Sequence, residues 1–220
     1  MVANKHLTLA ILLLALTAHS GDSTITYANQ TYKTAKIGTQ IWLAENLNYE
    51  AEGSVCYENN PANCAKYGRL YNWETAMKVC PKGWHLPSKA EWDKLLRFVE
   101  DGYTDTEIPY ISETAGKHLK ATSGWDDGRD DYYGYRVNGN GTDKYNFSAL
   151  PGGHCSAGYF VSRCISFNRV GECGAWWSAR KFDGNNKYAY GYFMYHSGNQ
   201  VISGTSVLKS HLFSVRCIQD

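Results

Sequence analysis

CYENNPANCAKYGRLYNWETAMKVCPKGWHLPSKAEWDKL, residues 56–95, carries the helix signals around which the rest of the chain is arranged. Its second half is the clearer. Pro87 precedes Ser88, and Ser88-Lys89-Ala90-Glu91 has the capping-box spacing, in which serine and glutamate side chains each satisfy a free backbone amide at a helix start. Trp92, Leu95, Leu96 and Val99 then recur at i, i+3, i+4 and i+7, the stripe of a helix with one buried face. Asp101-Gly102 is expected to stop it. In the first half, Leu70, Trp73, Ala76 and Met77 fall on one face of a shorter helix, which cannot continue through Pro81-Lys82-Gly83. Before it, residues 46–67 read as a loop, and Cys56 and Cys64 bracket a short polar part of it that a disulfide between them would staple.

Outward from this block the period changes to that of strands. Residues 24–27 and 32–37 flank a turn at Ala28-Asn29-Gln30, and Gly38-Thr39 leads into a strand over residues 40–45. On the other side, residues 114–120 read as a short helical piece. Residues 122–174 are rich in Gly, Asn, Asp and Tyr, have no apolar periodicity apart from Phe147-Ser148-Ala149-Leu150, and read as a long loop region of the kind that carries function. Strands return at 175–179, 188–195, 200–203 and 212–218. Strands at both ends with two helices between them predict an α+β fold, an antiparallel sheet backed by two helices.

The first residues read as a secretory signal peptide, residues 1–20, leaving 21–220 as one domain. Lys5 and His6 are the basic start, residues 7–16 the apolar run, and Ala18-His19-Ser20 the small-residue end. The run is shorter than the about 20 apolar residues a membrane helix needs, and no later segment is apolar enough to span a bilayer. The expected location is outside the cytoplasm: secreted, periplasmic or at the cell surface. Net charge is +1, which gives no general attraction to nucleic acid. The 7 cysteines all follow the leader and argue for disulfides in an oxidising compartment, with one thiol left over.

Several stretches resemble the Fibrobacter succinogenes major paralogous domain family. They are residues 56–95 quoted above, IGTQIWLAENLNY (37–49), GNGTDKYNFSALPGG (139–153), WWSAR (176–180) and SVRCIQD (214–220). The resemblance covers nearly all of the chain after the leader, in order. It implies a fold like those of C-type-lectin-like domains and formylglycine-generating enzymes, with terminal strands paired, two helices and long loops on one side. It further implies an exported or surface protein and names no activity. It also implies a disulfide between Cys80 and Cys217, since such folds tie a helix end to the last strand. The chain departs from the family in lacking a lipid-anchor cysteine and in holding three cysteines in HCSAGYFVSRCISFNRVGEC. Of Cys155, Cys164 and Cys173 only two can pair, and Cys155 with Cys173 across the base of the loop region is the pairing expected here.

The loop region supplies the candidate site. Tyr and Trp faces stack on sugar rings while Asn and Asp bond hydroxyls, which nominates Trp125, Tyr132, Tyr133, Asn138, Asn140 and Tyr145 as ligand contacts. Asp126, Asp127, Asp130, Asp131 and Asp143 crowd hard oxygen ligands that suit calcium, although neither an EF-hand loop nor the paired motifs of calcium-dependent lectins is present. Trp73, Trp92, Trp176 and Trp177 sit in periodic or strand context and read as core. There is no zinc-spaced His pair, no Gly-x-Ser-x-Gly elbow and no phosphate loop. The expected function is a non-catalytic binding module for an extracellular glycan or protein ligand. The alternatives are an oxidoreductase like the formylglycine-generating enzymes, which needs a pair of reactive thiols, and a structural or assembly subunit.

Overall fold

The structure, a computed structural model, describes residues 23–100, 111–129, 134–158 and 164–220. The stretch expected to be a leader therefore lies outside the described residues. The chain opens with strands β1 (Thr24–Tyr27), β2 (Gln30–Ile37), β3 (Gln40–Leu43) and β4 (Ser54–Val55). Helix α1 (Pro61–Tyr67), β5 (Leu70–Tyr71), α2 (Trp73–Ala76), β6 (Trp84–His85) and α3 (Lys89–Val99) follow. Next come β7 (Ile111–Ser112), α4 (Ala115–Leu119), β8 (Gly128–Arg129), β9 (Arg136–Val137), β10 (Gly152–Ala157) and β11 (Cys164–Val170). The chain closes with β12 (Cys173–Lys181), β13 (Tyr188–Tyr195), β14 (Val201–Leu208), β15 (Phe213–Ser214) and β16 (Ile218–Gln219).

The α+β class is as expected, with short helices against largely antiparallel sheets. One sheet has the order β1-β2-β3-β16-β6, so a strand from the far end of the chain is inserted between two early ones. A larger sheet follows β4-β5-β15-β12-β13-β14-β7, with β10 and β11 attached beside β12. Its centre is β12. Trp176 and Trp177 are neighbours, so their side chains leave opposite faces of the strand. Trp176 packs with Trp42, Trp92 and Tyr192, and Trp177 with Trp73, Tyr71 and Phe213; both tryptophans are fully buried. Helix α3 closes the first of these cores. Its capping box forms, with Glu91 Oε2 accepting the Ser88 amide at 2.8 Å, and Trp92, Leu95, Leu96 and Val99 are all buried. The Trp92 ring stacks on Tyr192 at 4.6 Å. Glu100 then accepts the amides of Glu113, Thr114 and Ala115, placing an anion at the start of α4.

Three expectations change. The first helix does not begin at Leu70. Residues Leu70–Tyr71 form β5 between β4 and β15, and the Asn72 side chain, accepting the Thr75 amide at 3.0 Å, starts a single helical turn at Trp73. Met77, expected on the buried face, is 42% exposed. The supposed loop 46–67 contains α1, opened by Asn60 as N-cap and Pro61 at the first helical position. The region 122–174 holds β8–β9 and the hairpin β10–β11. No residue of β11 is fully buried, so apolar and polar positions do not alternate cleanly along it.

All seven cysteines are described. Cys56 pairs with Cys64 and Cys80 with Cys217, as expected. The third bridge is Cys155–Cys164, not Cys155–Cys173. The reason is register. β10 and β11 are antiparallel and set Cys164 opposite Ala157, two residues from Cys155, whereas Cys173 lies on β12 opposite Tyr195. The Cys80–Cys217 closure spans 137 residues. Cross-linking so long a loop restricts the unfolded chain by on the order of 5 kcal/mol in the chain-entropy model.

Arg216, immediately before Cys217, has no exposed surface. Its guanidinium donates to the carbonyls of Leu43 (3.0 Å), Phe147 and Ser148 (3.4 Å) and to Asn46 Oδ1 (2.9 Å). It also lies 4.4 Å from the centre of the Phe147 ring. Burial lowers its pKa to about 9, so it stays charged at neutral pH. The same Asn46 oxygen accepts the Trp176 indole N–H at 2.8 Å, and its amide donates to the Tyr67 carbonyl at 2.9 Å. Replacing Arg216 by Met would orphan several buried acceptors, each costing about 1–3 kcal/mol. We expect R216M to lose at least about 3 kcal/mol in denaturant unfolding. K82M, at an exposed site, should stay within about 0.5 kcal/mol of the parent; equal effects would refute the hub.

His85 joins α3 to the end of β16. Its Nδ1 meets Asp220 Oδ1 at 2.6 Å and its Nε2 meets Glu91 Oε1 at 2.8 Å. Burial alone would lower the His85 pKa, but the two carboxylates outweigh it and raise the pKa above 6.5. Burial would raise Glu91, but the Ser88 amide and hydroxyl and His85 together hold it below 4.5. The histidine's stabilisation is therefore complete below pH 6.5 and is lost as pH rises through its raised folded pKa. That of Glu91 is complete above pH 4.5 and is lost as pH falls through its lowered one. Melting curves against pH should show maximal stability in the mildly acidic window, and H85Q should flatten the decline on the alkaline side. An unchanged alkaline slope in H85Q would count against the clamp.

Candidate functional site

The nominated residues divide between scaffold and surface. Trp125 is buried in the first core, with its indole N–H on the Ala149 carbonyl at 2.9 Å and its amide on Asn140 Oδ1 at 3.0 Å. Asn138 Oδ1 in turn accepts the Asn140 amide and side chain, each at 3.0 Å. Tyr145 packs edge-on against Phe98 at 5.6 Å. Trp125 therefore anchors the segment, Asn140 and Tyr145 help to fasten it while staying partly exposed, and Asn138 is exposed. A lone large aromatic within a polar stretch has nothing else to bury, which is why Trp125 goes inward. Tyr132, Tyr133, Asp130 and Asp131 lie outside the described residues.

The expected calcium ligands are not assembled by the carboxylates that are described. Asp127 binds Arg136 at 2.7 Å, and Asp143 accepts the Ser148 amide and hydroxyl at 2.7 and 2.6 Å. Asp126 lies against Gly171, so closely that a side chain there would overlap its carboxylate. Among the described residues no three His, Cys, Asp or Glu side chains converge in a way that could hold a metal ion.

What the segment does build is a groove of about 680 Å³ at the end of β13, lined by Asp127, Arg129, Arg169, Tyr195, His196 and Ile202 among others. Two close approaches make it. A Cβ on Gly128 would lie 2.7 Å from Ser197 Cα, and one on Gly139 would overlap the Asp126 carbonyl and touch His196 Cβ at 3.1 Å. Only glycine lets the β8–β9 pair settle onto the 196–197 turn. On the other side, Arg169 takes a left-handed backbone (φ 62°) in the turn closed by the Glu172 amide on its carbonyl, and its guanidinium lies 5.7 Å from the centre of the Tyr195 ring.

The groove is positive. Asp127 is neutralised by Arg136, while Arg129 and Arg169 are exposed and form no ion pair among the described residues. Behind the groove, Lys120 is 1% exposed, with its ammonium on the neutral carbonyls of Tyr195 (3.1 Å) and Gly198 (2.8 Å) and over the Trp125 ring at 5.0 Å. Burial lowers its pKa to about 8. His196 Nδ1 is buried with no hydrogen-bond partner among the described residues. Cys173, opposite Tyr195 in the strand register, is the one unpaired cysteine, and burial pushes its thiol up to about 12. A thiol of that pKa is not a nucleophile near neutral pH.

Arg129, Arg169, Tyr195 and His196 were not among the nominated residues. The turn signals at 169–172 and 196–199 were readable, but their meeting depends on strand register across more than sixty residues of sequence. A family model described as the Fibrobacter succinogenes major domain matches residues 35–219. No curated protein and no solved structure matches the chain.

If Trp125 is an anchor, W125A should cost roughly 3–5 kcal/mol in unfolding free energy. G139A should cost about 1–3 kcal/mol through overpacking. A W125A protein that melts like the parent would return this residue to the ligand face.

Proposed function

The chain belongs to the Fibrobacter succinogenes major domain family, and from that premise we propose that it is an exported, non-catalytic binding module whose recognition surface is the groove at the end of β13. The observation that carries this reading is the contrast in how polar groups are used. In the scaffold, Arg216, Lys120, Asn46, Asp143 and Glu100 are all committed to internal partners. In the groove, two guanidiniums form no ion pair among the described residues, and one of them, Arg169, lies over an aromatic ring, with an apolar side chain close by. Three disulfides support an oxidising compartment, as the apolar leader does. No helix among the described residues is long and apolar enough to cross a membrane.

The finer fold reading is C-type-lectin-like. Two features support it: a late strand paired with an early one, and a disulfide joining the stretch after α2 to that late strand's lead-in. The oxidoreductase alternative needs two reactive thiols, and the chain offers one buried thiol with a raised pKa. The groove rests on elements at some distance in sequence from both termini, so its residues can be changed without touching the hub around Arg216.

A glycan array probed with the refolded, disulfide-intact protein tests the proposal. We expect selective binding to one saccharide class, and a loss of at least about tenfold in Y195A with melting temperature within a few degrees of the parent. Undiminished binding in folded Y195A moves the surface elsewhere, and an empty array refutes the glycan module.

A further inference from the structure

Resting on the binding-module reading, we propose that the groove selects acidic saccharides, with Arg129 and Arg169 as the two groups that hold the sugar's anionic substituent. The chain is close to neutral overall, at +1, so two arginines without an ion pair among the described residues are a local construction and not a by-product of composition. The carboxylate lining the groove, Asp127, is taken by Arg136 at 2.7 Å. Glu172 lies in the same turn as Arg169 but pairs with neither arginine. The nearest further cation, Lys120, is buried on neutral carbonyls and adds positive potential from behind. A neutral ligand would leave all of this charge unanswered, whereas an anion meets it.

The side chains also have the right form. A guanidinium is a planar fork whose paired N–H groups match a carboxylate or sulfate, and it holds one more selectively than a lysine would. Both forks are set by backbone. Arg129 stands opposite Arg136 in the β8–β9 pair, and Gly128 beside it is locked onto the 196–197 turn. Arg169 is held by a left-handed turn that an arginine adopts only under constraint, and its stack on Tyr195 limits its swing. Tyr195 and Ile202 offer apolar surface for a ring face. The Arg169 guanidinium, held over Tyr195, has less conformational freedom to lose on binding, which helps a shallow groove discriminate.

The test is calorimetric titration of the full disulfide-bonded protein with three probes of equal length: an oligogalacturonate, a neutral cello-oligosaccharide and a sulfated neutral oligosaccharide. We expect an acidic probe to bind at least about tenfold tighter than the neutral one, and the preference to shrink as salt rises toward 1 M. R129Q and R169Q should each remove about tenfold of that affinity, and R169K, which keeps the charge and loses the fork, should fall between parent and R169Q. Both arginines are exposed, so these variants should melt like the parent. Preference for oligogalacturonate identifies a uronate, and preference for the sulfated probe identifies a sulfate ester; either supports the proposal. Equal affinity for neutral and acidic probes, or full acidic binding in the R129Q/R169Q double variant, overturns acidic selectivity while leaving a glycan module in place. Binding to no probe here and to nothing on the array overturns both readings.

Discussion

A charged side chain with no exposed surface organises this fold. Arg216 makes no salt bridge among the described residues, although the charges of Asp143 and Glu45 favour it. Its two terminal nitrogens are met by oxygens from separate parts of the chain: the carbonyls of Leu43 at the end of β3 and of Phe147 and Ser148 in the polar segment, and the Asn46 side chain. Burying an ion this way is tolerable only if its hydrogen bonds are met with good geometry. The demand therefore fixes where those three segments stand relative to β16. Asn46 extends the constraint. Its oxygen is shared by Arg216 and the Trp176 indole, and its nitrogen reaches the end of α1. The stretches that look distinctive when the chain is read as text, around residues 46, 147, 176 and 216, are distinctive because they meet at one point.

That convergence explains what could and could not be read in advance. The capping box of α3 and its apolar stripe are local, and local rules found them to the residue. The same was true of the Ala28-Asn29 turn, where both residues take positive φ, and of the Cys56–Cys64 bridge across eight residues. Leu70 misled because a residue spaced for a helix face satisfies a buried strand position equally well. The β10–β11 hairpin was invisible for a different reason: a strand with no fully buried position has no clean pattern to show. The Cys155 pairing depended on that hairpin, so the missed strand and the misassigned bridge have one cause. The groove residues were harder still. Arg129, Arg169 and Tyr195 come together only through the seating of Gly128 and Gly139 on the 196–197 turn, and no window of sequence contains that contact.

Scaffold and groove thus follow different rules. In the scaffold Arg216, Lys120, Asn46, Asp143 and Glu100 are answered internally, and its aromatic residues lock two cores on the two faces of β12. At the groove the glycines are packing devices, the strands are two residues long, and the arginines project outward. Residues that look like ligand contacts by type, such as Trp125 and Asn140, belong to the first group, since they fasten the segment down. The ones that remain available were placed by the fastening.

The position of β16 has a consequence for the order of events as the polypeptide is made. β3 and β6 are neighbours only through β16, which lies between them, and Cys80 finds its partner at position 217. A chain emerging amino end first can close the eight-residue Cys56–Cys64 loop early, but it must hold β3 and β6 apart, and Cys80 as an open thiol, until residues 216–219 have cleared the exit. Closure of the first sheet is then a late step that waits for the end of the chain, as expected where a contact spans most of the sequence.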